Sequence, residues 1–300
     1  MRDLGGVNVC TVMADAEAGA LFSLVSPEAY IGAFVQNGIR RDARALSELR
    51  PLVLSSNPFV PSAVVGSSMV QLGATRMCCA VQLQIGAPAN LPNEGEVIFE
   101  VTLGPLCSHK YDQRGKPDDA YELESLLASA FTRNKRVLDL SQLCIVQDKH
   151  VFKLIVQIVC LSHAGNIQDA AVLAATYALR SVKLPDIEFA QGIGGGGDAI
   201  PRPVSDPTNS KGRPLKLLAS PVSVTLCLFQ RSLLVDPDQE EAQVAHGVFR
   251  CVLLEDGHIC HLAHHSAKGG GFSKEDLAQA VALCSGAASQ IRASLETPLP

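Results

Sequence analysis

The stretch from Val151 to Leu184, VFKLIVQIVCLSHAGNIQDAAVLAATYALRSVKL, constrains the fold more than any other part of the chain. Val151 to Leu161 is β-branched and aliphatic, with Lys153 and Gln157 as the polar breaks, the pattern of a strand buried on most of both faces. Gly165 turns the chain. From Ile167 the period becomes helical: Ala171, Ala174, Ala175, Ala178 and Val182 recur together, and Gln168, Arg180 and Lys183 leave a narrow polar edge. So many alanines let a sheet approach closely. The spacing predicts the centre of an α/β layer, with a helix N-terminus beside the Gly that could hold an anion.

The flanking elements follow from turn and cap chemistry. Ser26-Pro27-Glu28 opens a helix expected over Pro27 to Gln36 and closed at Asn37-Gly38. Ala63 to Ile85 reads as two strands joined at Gly73-Ala74, with Gly66-Ser67-Ser68 marking a bulge. Glu96 to Leu103 alternates as a further strand, and a helix is expected from about Asp119 to Arg133. Pro185 to Pro214 holds Gly194 to Gly197 and several prolines, and reads as a flexible insertion. Strands resume at Pro221 to Gln230 and Gly247 to Leu254. Glu255-Asp256-Gly257-His258 is a hairpin turn into Ile259 to His264. Ser273 and Asp276 open the last helix, whose Leu277, Val281, Cys284, Ala288 and Ile291 form one apolar stripe.

With 300 residues, 47% of them hydrophobic, the chain can bury a large core. Its apolar runs are too short to span a bilayer as helices, and the N-terminal segment, with Asp3, Asp15 and Glu17, does not read as a secretory signal. An intracellular compartment is expected, in which ten scattered cysteines without a CxxC act as small buried hydrophobes. A net charge of −5 argues against general attraction to nucleic acid, and 5% aromatics against stacked single-strand platforms.

Few groups of residues suggest chemistry by spacing. Arg40-Arg41-Asp42-Ala43-Arg44 reads as a solvated loop, as does the acidic run Asp236, Asp238, Glu240, Glu241. Cys260, His261, His264 and His265 fall on a strand, whose alternation prevents convergence on zinc. No metal or other cofactor is expected. The glycine run lacks the Gly-Lys-Ser/Thr and the strand-to-helix frame of a P-loop.

Taken together, GSSMVQLGATRMCCAVQLQIGAP, the Pro105-Leu106-Cys107-Ser108 block, LCIVQDKHVFKLIVQIVCLSHAGNIQDAAVLAATYALRSVKLP and LLVDPDQEEAQVAHG resemble the ribonuclease PH family, in particular the branch supplying RNase PH-like subunits to the eukaryotic RNA exosome core ring. The resemblance covers most of Ser26 to Leu295. It implies an α/β fold of α+β type, with mixed sheets, helices packed on them and two related βα halves. The implied divisions are residues 1–25 as an N-terminal extension open to disorder, 26–185 as a first subdomain, 186–214 as a flexible insertion and 215–296 as a second subdomain. Arg41-Asp42-Ala43-Arg44 then corresponds to the last four positions of an Arg-x-Asp-Gly-Arg signature, with Ala43 in place of Gly.

Active members of that family are phosphorolytic 3′ to 5′ exoribonucleases, and their site residues can be followed one by one. The phosphate-binding Gly-Gly/Ser-Thr-Arg turn falls on Gly165, Asn166, Ile167 and Gln168, so its Arg is gone. Asn166 is expected to cap the helix, and Asp169 to supply the site with its own anion. A second arginine of the family aligns approximately with Asp119, and its two aspartates fall on Ala242 and Val248. Losing one charge-stabilising group typically costs ~10²–10³ in rate. The resemblance therefore implies a catalytically inactive subunit, partnered by other RNase PH-like subunits in a six-membered ring, by RNA-binding cap subunits and by RNA in the channel. Nucleus, nucleolus and cytoplasm are the implied locations. Lys110, Arg114 and Lys116 are the candidate RNA contacts, since the equivalent loop of relatives faces the channel. Two other readings remain open at this point, an active phosphate-dependent exoribonuclease and a stand-alone small-molecule enzyme.

Overall fold

The computed structural model describes residues 16–58, 64–89, 91–112, 115–133, 136–190, 200–203, 212–266 and 272–296. The element the rest packs around is the helix α4 (Ile167–Ser181), preceded along the chain by α1 (Ala16–Val25), α2 (Pro27–Gln36) and α3 (Asp118–Ala128). Every residue of α4 from Ile167 to Leu179 is buried. Its alanines face β2 (Val64–Leu72), β3 (Thr75–Gly86) and β6 (His150–Ser162) on one side and β11 (Val222–Phe229) on the other, which is why it is apolar nearly all round. The approach is close enough to demand a glycine. A Cβ on Gly66 would lie 2.7 Å from the Ala178 carbonyl, and the bulge expected there appears as a register shift between Val64 and Gly66.

The first sheet has the order β1-β2-β3-β6-β4, with β1 at Leu52–Ser56, β4 at Glu96–Thr102, and β5 (Cys144–Val146) also pairing with β6. β4 runs parallel to β6 and the other pairs are antiparallel. The second sheet has the order β12-β11-β13-β14, with β12 at Ser232–Val235, β13 at Gly247–Leu253 and β14 at Ile259–Ser266. Two helices of the second half flank this sheet: the short α5 (Gln239–Val244) and the long α6 (Lys274–Glu296), which lays Ala280, Cys284, Ala288 and Ile291 into the core. Ser273 and Asp276 cap α6 reciprocally, backbone N–H to side chain at 2.9 and 3.0 Å. On the opposite face of the second sheet, Ile31 and Val35 of α2 pack with Cys227, Phe229, Leu234 and Val244.

Three expectations change here. Part of the N-terminal extension is ordered as α1, joined to α2 by the edge-on contact of Phe22 with Tyr30; residues 1–15 lie outside the described residues. Within 186–214, β8 (Ile187–Ala190) pairs with β9 (Ile200–Pro203), and β10 (Arg213–Pro214) with β7 (Lys183–Leu184). A strand ladder supplies hydrogen bonds that composition alone did not announce; Gly194 to Gly197 lie outside the described residues. Finally, α3 ends at Ala128 and Ser129–Arg133 continues as one π turn.

Candidate functional site

The loop between β6 and α4 is where the two sheets meet. Gly165 has φ +93°, and a Cβ there would lie 2.5 Å from the backbone N of Gln239 and 2.6 Å from the carbonyl carbon of Asp238. The glycine thus lets this loop touch the start of α5. Its carbonyl accepts from the Thr75 hydroxyl at 2.7 Å and from Arg50 at 3.3 Å. Gly165→Ala combines a disfavoured φ with overpacking and is expected to cost about 1–3 kcal/mol, read as a lowered urea midpoint with an unchanged slope.

Asn166 does not cap the helix. It sits in the left-handed region at φ 54°, and its side-chain amide bridges two buried carboxylates, Asp169 at 2.7 Å and Asp236 at 2.6 Å. Asp169 is likewise not aimed at a phosphate. Its carboxylate turns into the interior, accepting from the Ser223 hydroxyl at 2.6 Å and from the Thr225 hydroxyl and N–H at 2.9 and 2.8 Å. Burial pushes the Asp169 carboxyl up, against these hydrogen bonds.

The two runs that read as solvated loops are instead locked to each other. Arg50 grips Asp236 through its Nε and Nη2 at 2.9 and 2.7 Å and its own backbone N–H at 2.9 Å. Arg40 holds Glu241 through two guanidinium nitrogens and also donates to the carbonyls of Val235 and Asp236 at 2.6 and 2.9 Å. Both members of that pair are buried, at 0% and 4% side-chain exposure. Ala43 stands at φ 66° in the tight turn between Arg40 and Arg44. Burial acts to raise the Asp236 carboxyl, but the Arg50 guanidinium and the Asn166 amide outweigh it and hold Asp236 below the ordinary carboxylate range. Glu241 also closes a capping box on α5 with Asp238. Sequence reading missed this hub because the paired ions lie 186 to 201 residues apart; the one local sign was an Asp directly after the apolar run Leu233 to Val235.

Beside the hub opens a cleft of about 410 Å³ lined by Lys110, Asp119, Glu122, His163, Gly165 to Gln168, Ala242, Val248 and Arg250, among others. It gathers the positions followed in the sequence, Gln168, Asp119, Ala242 and Val248, into one wall. Its cations are already answered. Lys110 donates to Asp119 at 2.6 Å, and Arg250 donates to Glu122 at 2.9 Å. Burial acts to raise the Asp119 carboxyl, but hydrogen bonds from Lys110 and the Tyr111 hydroxyl hold it low. His163 is pushed down by burial and then by the charge of Lys110, so it adds no positive charge near neutrality. Such a pocket holds neutral or balanced groups and offers no unpaired cation to a phosphate.

Of the RNA-contact candidates, Lys110 lines this cleft and Lys116 is bound to Glu124 with its ammonium 5.0 Å from the centre of the Tyr121 ring. Arg114 lies outside the described residues. Cys260, His261, His264 and His265 lie along the edge strand β14, and among the described residues no group of three or more His, Cys, Asp or Glu could hold a metal ion.

Residues 48–185 match the 3′ exoribonuclease family (RNase_PH), domain 1, and residues 219–285 match its domain 2. The exosome complex component rrp43 of Schizosaccharomyces pombe is 29% identical, over 75% of this chain and 80% of that protein. The exosome complex component Rrp42 of Thermoplasma acidophilum is 30% identical, over 84% and 88%. A chain from the Archaeoglobus fulgidus exosome with RNA bound to the active site superposes with a TM-score of 0.73 at 26% identity, covering 90% of this chain and 97% of that one. A chain of an archaeal exosome core, 24% identical with a TM-score of 0.71, shares the fold.

Proposed function

Because the chain belongs to the RNase PH-type 3′ exoribonuclease family, we propose that it is a structural, non-catalytic subunit of an exosome core, supporting 3′ to 5′ RNA processing and degradation. The observation that carries this reading is the balanced cleft. Where the resemblance calls for cations and paired carboxylates, the wall presents Gln168, Asp119, Ala242 and Val248, and its remaining cations are paired. Phosphorolysis must bind an inorganic anion and stabilise charge on a phosphoryl-transfer transition state, and preorganised charge is the largest contribution to such catalysis. On this reading the chain assembles with other RNase PH-like subunits in a six-membered ring, under RNA-binding cap subunits and around an RNA channel.

The purified chain, incubated with phosphate and an RNA tail, is expected to release nucleoside diphosphates no faster than a protein-free control. Release above that background would overturn the reading. On the same reading Lys110, Arg114 and Lys116 face RNA, with Asp119 and Glu124 as the carboxylates an RNA phosphate would displace. Charge reversal of the three together is expected to shorten the RNA protected by the assembled core. Unchanged protection would remove these residues from the RNA path.

A further inference from the structure

Among the described residues four buried side-chain polar atoms have no hydrogen-bond partner, and two of them, Asn166 Oδ1 and Gln168 Oε1, belong to residues of the cleft at the start of α4. Gln168 is 6% exposed. Neither amide can make good the deficit by turning over. Asn166 commits its nitrogen to Asp169 and Asp236, and Gln168 donates to Glu122 at 3.3 Å, so a flip would set an oxygen against a carboxylate in each case. A buried acceptor without a donor is destabilising, and a cleft that keeps two of them together calls for a ligand that brings N–H groups.

Charge decides which kind. The wall of the cleft is balanced, with Lys110 on Asp119 and Arg250 on Glu122, but the layer behind Asn166 is not. Asp169 and Asp236 stand there against Arg50, since Arg44 makes its closer ion pair with Asp42, at 2.6 Å against 3.7 Å. Among the described residues Asp169 is hydrogen-bonded by Asn166, Ser223 and Thr225, none of them a cation. The positive end of α4, worth about half a charge, is met by Asp169 in its own first turn. Drawn on by two carboxylates, the Asn166 amide carries added negative charge on its free oxygen. A cation at that oxygen answers both the orphan acceptor and the excess charge behind it.

Resting on the reading of this site as non-catalytic, we propose that the cleft binds a small organic cation, its guanidinium head donating to Asn166 Oδ1 and Gln168 Oε1 and its apolar stem lying along Ile167, Ala242 and Val248. A guanidinium suits the head better than an ammonium. Its donors lie in one plane and reach several oxygens at once, and it is the more weakly hydrated of the two, so it leaves water more readily for a partly apolar cleft. At about 410 Å³ the cleft has the size of a small-ligand site. Gln168, where the resemblance calls for a phosphate-binding arginine, thus changes the class of ligand rather than merely emptying the site.

Calorimetric titration of the purified full chain tests this with n-butylguanidinium, its neutral isostere n-butylurea, and inorganic phosphate. The guanidinium is expected to bind at a single site, n-butylurea roughly tenfold more weakly, and phosphate not at all. Gln168→Leu keeps a good helix former and leaves Glu122 to Arg250; it is expected to weaken n-butylguanidinium about tenfold. Equal affinity in that variant, or equal affinity for n-butylurea, would overturn the proposal. A flat guanidinium titration overturns it too, the two oxygens then being met by water, and so does saturable phosphate binding. The non-catalytic reading stands or falls separately, on nucleoside diphosphate release. Should Gln168→Leu fail to fold, hydrogen exchange of the parent decides: slower exchange within residues 163–170 with n-butylguanidinium and not with n-butylurea supports the site, and unchanged exchange there rejects it.

Discussion

Arg40→Ala is expected to lower the free energy of unfolding by about 3–5 kcal/mol, because it strands a buried carboxylate rather than merely deleting a contact. Glu241 is 4% exposed and would lose both guanidinium bonds, while the Val235 carbonyl would lose the Arg40 donor and the Asp236 carbonyl would keep Arg44 at 3.4 Å. Denaturant titration followed by circular dichroism measures the loss. Replacing the pair together, as Arg40→Met with Glu241→Leu, is expected to recover most of it, since a buried ion pair exchanged for apolar groups of similar volume is often close to neutral. Glu241 also caps α5, so the recovery should fall short by about 1 kcal/mol. A double variant no better than Arg40→Ala would show that the hub contributes through its hydrogen-bond geometry rather than through charge balance.

Asp236→Asn is the second large effect, again about 3–5 kcal/mol. Asparagine tolerates the left-handed backbone at φ 51°, so strain is not the cause. The loss is electrostatic: Arg50, 7% exposed, keeps its charge with no carboxylate to receive it, and Arg44 loses an ion partner at 3.7 Å. This effect also has a pH signature. Asp236 is held below the ordinary carboxylate value in the folded state. A depressed native value means that the unfolded chain takes up protons first on acidification, so the stabilisation is fully present above about pH 5 and is lost as pH falls below about 4. The gap between parent and Asp236→Asn should therefore be wide at neutral pH and narrow in acid. A gap independent of pH would assign the loss to packing.

The same residues show how far local pattern reaches. The strand, the glycine turn and the helix from β6 into α4 were legible because their information is local: apolar continuity, a change of period, a residue able to take positive φ. So were the hairpin at Gly73-Ala74 and the Ser273–Asp276 cap. The family positions at Gln168, Asp119, Ala242 and Val248 could be placed by order and spacing, and they do line one cleft. The ion partners could not. Arg40 and Arg44 looked solvated because charge beside charge in a loop ordinarily is, and what buries them is a second loop 192 to 201 residues further on. Asn166 and Asp169 were misread for a related reason. A helix start offers a capping role to any Asn or Asp, and the competing acceptor or donor, Asp236 or Thr225, belongs to the other half of the chain.

Composition and periodicity were enough to establish that this chain forms layered strands and helices around an alanine-rich helix, and the order and spacing of its motifs were enough to point to the family scaffold. Which charges are buried, and that the cleft's cations are all answered, follow from long-range packing. Burial and pairing depend on distances between segments far apart in the chain, and those distances come into being when two sheets close on one helix.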